Sequence, residues 1–289
     1  MPEPRVEVRK TYKLFIAGAF PRSESGRSYV VNAADGTFLA NVAWASRKDA
    51  RDAVVAARAA LAGWSAATAY NRGQVLYRVA ELLEDRRGQF VDAVRESEGG
   101  TARTASAQVS AAIDRWVWYA GWTDKLAQVA GSTNPVAGPY FNFSVPEPTG
   151  VIAVVAPTDS TLLGLVSVVA PAVAAANTVV VLADEHRPLP AVTLAEVLAT
   201  SDVPAGVINL LTGPIEELAP VLASHRDVDG IDLAGAAGDL AGPLEAAGAT
   251  NIKRISRPAL PGHDWSRDPG TSRLLRFVET KTVWHPIGT

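Results

Sequence analysis

From Ser160 to Ala183 the sequence carries no charged residue, and any fold open to this chain has to bury that stretch. A membrane span is one solution and a protein interior is the other. Pro171 and Asn177 interrupt the run, and β-branched residues gather at its end in Thr178-Val179-Val180-Val181. That pattern reads as a buried helix from Leu162 to Ala175 followed by a strand from Thr178 to Leu182, apolar on both faces as parallel strands are. No membrane association is expected.

Strand and helix alternate on both sides of this pair. Strands are predicted at Val151 to Ala156, Val207 to Leu211, Gly230 to Leu233 and Ile252 to Ile255. Helices are predicted between them at Ala191 to Thr200, Glu216 to Ser224 and Asp239 to Ala247. Five strands with interposed helices give an α/β fold built on a doubly wound parallel sheet.

The first half has a different rhythm. Short apolar runs from Phe15 to Val42, broken by Gly18, Pro21, Gly26 and Gly36, predict a small antiparallel ribbon. Ser46 and Asp49 form a capping box ahead of a helical face of Ala50, Ala53, Val54, Ala57, Leu61 and Trp64. Asn71 can cap a second helix, Phe90 and Val94 mark a third, and Ala105 to Ala120 a long fourth, so this half is a helical layer. Trp116, Trp118 and Trp122 crowd that fourth helix, with core packing and a partner surface both open as roles. A strand from Tyr140 to Val145 closes the half. After the fifth sheet strand, Pro258 to Gly270 is polar and proline-rich and reads as a connector leading to a last strand, Thr280 to Trp284.

Among 289 residues there is no cysteine, which excludes disulfides, thiolate metal sites and a thiol nucleophile. A net charge of -3 without a basic cluster argues against a nucleic-acid partner or an anionic membrane surface. Met1 to Lys10 alternates charges with single apolar residues and lacks a secretory core, so a cytoplasmic location is expected. His186, His225, His263 and His285 are scattered without ligand spacing, and no metal site is expected. Gly235, Gly238 and Gly242 suit either a tight βα turn or backbone N–H groups offered to a phosphate.

Specific segments, in order, resemble the aldehyde dehydrogenase superfamily. They are Leu14-Phe15-Ile16-Ala17-Gly18, Ala112-Ile113-Asp114-Arg115, Tyr119 to Leu126 and Glu147-Pro148-Thr149-Gly150-Val151. Ala174 to Val180, Pro204 to Asn209, Asn251-Ile252-Lys253-Arg254 and Lys281-Thr282-Val283-Trp284 continue them. The resemblance implies a Rossmann-like NAD(P)-binding-type domain over 1–137 and 150–262, and a β oligomerisation arm over 138–149 and 271–289. The connector, 258–270, stands where such enzymes enter their catalytic domain, which is absent between these segments. A truncated, cysteine-free copy of this kind also resembles the C-terminal pseudo-domain of family-16 aldehyde dehydrogenases.

The resemblance locates chemical losses as well. The oxyanion-binding Asn of the family's Pro-Trp-Asn turn aligns with Asp159, whose carboxylate would repel a developing negative charge. The general-base Glu aligns with Pro258, and the Cys nucleophile has no counterpart, so no catalytic residue is assigned. Of the cofactor site, Glu185, Gly213 and Gly235 are retained as candidate binding residues. The ribose-binding Lys aligns with Leu182, a turn glycine with Ile215, and the pyrophosphate turn reads Gly235-Ala236-Ala237-Gly238-Asp239-Leu240. High-affinity binding of NAD or NADP is therefore not expected. The resemblance implies a non-catalytic subunit that pairs, through its arm, with a full-length aldehyde dehydrogenase subunit or with a second copy of itself. The alternatives are an NAD(P)-binding oxidoreductase or sensor using the residual crevice, and a homo-oligomeric scaffold.

Overall fold

The computed structural model describes residues 10–236, 238–260 and 262–288. The charged start up to Arg9 and Ala237 of the glycine turn lie outside the described residues.

Thr11–Tyr12 (β1), Ser28–Asn32 (β2) and Phe38–Ala43 (β3) form a small sheet in the order β1-β3-β2. The ribbon is antiparallel only between β2 and β3, because β1 adds to β3 in parallel. Five helices follow: Arg47–Ala66 (α1), Ala69–Asp85 (α2), Arg87–Glu98 (α3), Ala102–Trp122 (α4) and Leu126–Ala130 (α5). The Ser46–Asp49 capping box opens α1 as expected. Thr68 caps α2 in place of Asn71; its hydroxyl accepts from the Asn71 N–H, so the helix starts earlier than the sequence suggests.

Ser132–Asn134 (β4) and Tyr140–Pro148 (β5) come next, ahead of the alternating half. That half consists of Val151–Val155 (β6), Leu163–Ala174 (α6), Thr178–Leu182 (β7), Leu189–Thr200 (α7) and Ile208–Leu211 (β8). It continues with Ile215–Ser224 (α8), Gly230–Asp232 (β9), Ala241–Gly248 (α9) and Arg254–Ser256 (β10). The fifth strand begins at Arg254 rather than at Ile252, since Ile252 sits in the left-handed region at φ 58° with its side chain in solvent.

These five strands pair in parallel in the order β10-β9-β6-β7-β8. The chain enters at the centre, winds outward through β7 and β8, then returns to the other side of β6 for β9 and β10. Its direction reverses between β6 and β9, the switch point of a doubly wound sheet. The continuous apolarity of the inner strands follows from burial on both faces. Ile152, Val154, Val179 and Val181 pack with α4, α6 and α7. Val151, Ala153, Val155, Val180 and Leu182 pack with α1 and α8. All of α6 is buried, which accounts for the charge-free stretch. Trp116 is fully buried in the first of these clusters, while Trp118 and Trp122 lie half-buried against it with rings 5.3 Å apart. Among the described residues no helix is long and apolar enough to cross a membrane.

Val278–Pro286 (β11) completes a third sheet, in the order β11-β5-β4. Its register with β5 runs unbroken from Val278 opposite Pro148 to Pro286 opposite Tyr140. β4 pairs with β5 from Ser132 onward, and both β5 and β11 extend beyond the strands predicted at Tyr140 to Val145 and Thr280 to Trp284. Asn177, fully buried, fastens this arm to the main sheet. Its Oδ1 accepts from Gly150 N at 2.8 Å, and its Nδ2 donates to Ala172 O at 3.0 Å and Phe277 O at 2.9 Å. Asn177→Ala strands three buried backbone groups and is expected to cost about 3 kcal/mol in urea unfolding, against less than about 1 kcal/mol for an ordinary surface change.

Candidate functional site

Open α/β sheets receive ligands outside the carboxyl ends of their strands, at the switch point. Here that position lies between the ends of β6 and β9. Gly235, just beyond β9, donates its N–H to Val155 O at 3.0 Å, and a Cβ on it would stand 1.8 Å from Ala156 O. Only glycine lets the two strand ends close this far, so its role in the glycine cluster is the tight βα turn. Gly238 opens a single 3-10 turn, and Gly242 lies in α9 with open space around it.

Glu185 and the turn at Gly213 lie on the other side of β6, after β7 and β8. Gly213 turns the chain at φ 136°, and two residues later Ile215 N donates to Glu185 Oε2 at 2.8 Å. Glu185 therefore supplies an acceptor to the first turn of α8, which also carries Glu216 and Glu217. The exposed Asp239 stands at the start of α9. The N-terminus of α8 is thus compensated by carboxylates of the chain itself, which opposes a phosphate there, and Asp239 adds a negative charge in the 3-10 turn ahead of α9. Leu182, the position of the family's ribose-binding Lys, is buried in the sheet against α1 and offers no cation. Gly235 is not among the contacts that join Glu185 to the Gly213 turn; β6 separates the two halves of the candidate set.

Four residues at this edge are not identified by sequence reasoning as site residues, and three of them converge on the mouth itself. Trp265, in the segment expected to be a mere connector, is buried with its Nε1 donating to Asp159 Oδ1 at 2.8 Å. Arg273 meets the buried Asp232, the last residue of β9, at 3.0 Å, and its guanidinium lies 5.0 Å from the Trp265 ring centre. Burial pushes the Asp232 carboxyl up from its ordinary value, and the Arg273 charge opposes that shift. Arg115 of α4, itself buried, donates to the carbonyls of Trp265 and Arg267 at 2.8 and 3.0 Å. A cleft of about 550 Å³ adjoins these groups, lined by Arg115, Ser167, His263, Trp265, Arg267 and Arg273 among others. The sequence signal for this arrangement is a lone tryptophan in an otherwise polar, proline-broken stretch.

Asp159 is bonded to an indole of the same chain, Pro258 has no titratable group, and no cysteine exists to act as nucleophile. Among the described residues no cluster of His, Asp or Glu could hold a metal ion. Trp265 stands beside the loop that follows β6, bonded to Asp159. Two substitutions separate the roles of the glycine cluster in thermal or urea unfolding. Gly235→Ala is expected to cost about 3 kcal/mol through the clash with Ala156 O, whereas Gly242→Ala is expected to gain about 0.5 to 1 kcal/mol from helix propensity.

The comparisons agree with this geometry. The model of the aldehyde dehydrogenase family matches residues 20–257. Retinal dehydrogenase 2 of Homo sapiens is 36% identical over 264 residues, covering 88% of this chain and 49% of that protein. The putative aldehyde dehydrogenase DhaS of Bacillus subtilis is 32% identical over 250 residues, covering 85% of this chain and 50% of that protein. Among solved structures, an NAD+ complex of an aldehyde dehydrogenase from Bacillus cereus superposes with a TM-score of 0.80 at 26% identity, over 85% of this chain and 50% of that one. The chain spans about half the length of the curated relatives it matches. By fold, by the ordered segments of its sequence and by these relatives, the chain belongs to the aldehyde dehydrogenase family.

Proposed function

We propose that the chain is a non-catalytic, aldehyde dehydrogenase-like subunit that assembles through its arm with a full-length NAD(P)-dependent aldehyde dehydrogenase and stabilises or regulates it. The observation that carries this reading is the arm. β11 is an edge strand of nine residues with no further strand beyond it among the described residues. An edge of that length is a template for strand addition by another chain. Exposed Phe141, Trp284 and Ile287 add apolar surface alongside it. The reading is further supported by Asp159 and Pro258 at the positions of the oxyanion donor and the base, and by the missing thiol.

Co-expression with a full-length family member is expected to give one species by size exclusion, with a native mass equal to a sum of both chains. Phe141→Asp combined with Trp284→Asp is expected to abolish co-elution while leaving the circular dichroism spectrum intact. Consistent elution as separate species refutes the assembly. A homo-oligomer formed through the same edge, with no affinity for the full-length chain, is the outcome that favours a scaffold.

A second reading, a nucleotide sensor, is favoured by one specific observation: the Glu185–Gly213 turn remains assembled at the ends of β7 and β8. It predicts a saturable change in tryptophan fluorescence on titration with NAD or NADP. A flat titration up to millimolar cofactor removes it.

A further inference from the structure

We propose that residues 262–276 form an intramolecular strap whose Trp265 plugs the switch point, so that the closed strap and a dinucleotide exclude each other. The two strands flanking the switch point are β6 and β9, and the strap is bonded beyond the end of one and at the end of the other. Trp265 Nε1 reaches Asp159, in the loop after β6, at 2.8 Å. Arg273 reaches Asp232, which ends β9, at 3.0 Å. The strap, with the indole on one side and the Arg273 guanidinium on the other, is therefore bonded on both sides of the gap where a doubly wound sheet receives its ligand. The indole is flanked by groups of the strap itself, the Arg273 guanidinium over the ring at 5.0 Å and the His263 ring in T-shaped contact at 4.4 Å.

The strap has the construction of a removable part. From Gly262 to Gly270, Trp265 is the one buried side chain, and its neighbours on both sides are exposed. Besides the indole and the Asp232 ion pair, the strap is held by Leu274, buried in the core at its C-terminal side, and by Arg115, which donates to two of its carbonyls. A stretch of nine residues with one apolar anchor belongs to the low-stability end of local opening, and Leu274 is the hinge-side anchor at which the strap ends. Closure is favoured in the absence of ligand because opening leaves the buried Asp232 carboxylate without its cation. A ligand competing with the strap binds with its affinity reduced by the fraction of open molecules, so a strap open about 1% of the time weakens binding about a hundredfold.

This inference does not rest on the arm, and its test uses the full chain alone, so a failure to assemble with a partner leaves it readable. Titration calorimetry with NAD+ is expected to show at least tenfold tighter binding for Trp265→Gly than for the parent. Asp159→Ala severs only the indole bond at an exposed residue, and an intermediate gain is expected. Indole added to the Trp265→Gly protein is expected to refill the slot and weaken NAD+ binding again, while NAD+ added to the parent speeds tryptic cleavage after Arg267. Should Trp265→Gly lack a native circular dichroism spectrum, Asp159→Ala decides the matter. NAD+ binding no tighter than the parent's in the folded variants, complete absence of binding included, overturns the proposal.

Discussion

The Asn177 carboxamide sits at a junction on which the architecture depends: the entry to β6, the end of α6 and the residue ahead of β11 all bond to it. A side-chain amide with one acceptor and two donors can serve three backbone groups in a dry interior, where each left unserved would cost as much as the bond. Through this one group the arm strand, distant in sequence, is registered against the sheet. The nine-residue pairing of β11 with β5 then follows from a fixed starting point. Ionic contacts at the surface reinforce the junction, with Arg254 of β10 bridging to Glu279 of β11. Exposed pairs of this kind contribute little individually, and the buried amide carries the larger share.

Electrostatics at the carboxyl edge of the sheet point the same way from several independent positions. Glu185 serves α8, Asp239 stands at α9, and Asp159 and Asp232 are engaged by Trp265 and Arg273. In a sheet open to dinucleotides, the corresponding helix dipoles and backbone donors are left for phosphate. In this chain Glu185 already occupies the start of α8, while the strap supplies an indole N–H to Asp159 and a cation to Asp232. The edge is an internally compensated surface.

The fold was legible where local pattern and tertiary environment coincide. Val151 to Val155 and Thr178 to Leu182 read as parallel strands because burial on both faces leaves no polar alternation to confuse the period. Errors arose where two residues could serve one role or where backbone geometry ran against propensity. Thr68 and Asn71 are both capping types, and only the structure shows which hydroxyl or amide meets a free N–H. Ile252 is β-branched, yet it takes a left-handed turn conformation ahead of β10. Of the candidate site residues, Glu185 bonds to Ile215, two residues after the Gly213 turn, while Gly235 is explained by its close approach to Ala156. Trp265 and Arg273 could not be placed from sequence, because their partners Asp159 and Asp232 lie 106 and 41 positions away.

The ends of the strap are both tied to the same sheet. Leu233 N bonds to Ser256 O before it, and Asn177 Nδ2 bonds to Phe277 O after it. Opening therefore releases a closed loop whose ends keep their spacing, and the loop is never a free tail. A tethered loop of this size searches a small volume and returns on the order of a microsecond or less. Occlusion of the mouth is consequently a matter of populations in rapid balance, and a ligand arriving at this surface meets no slow gate.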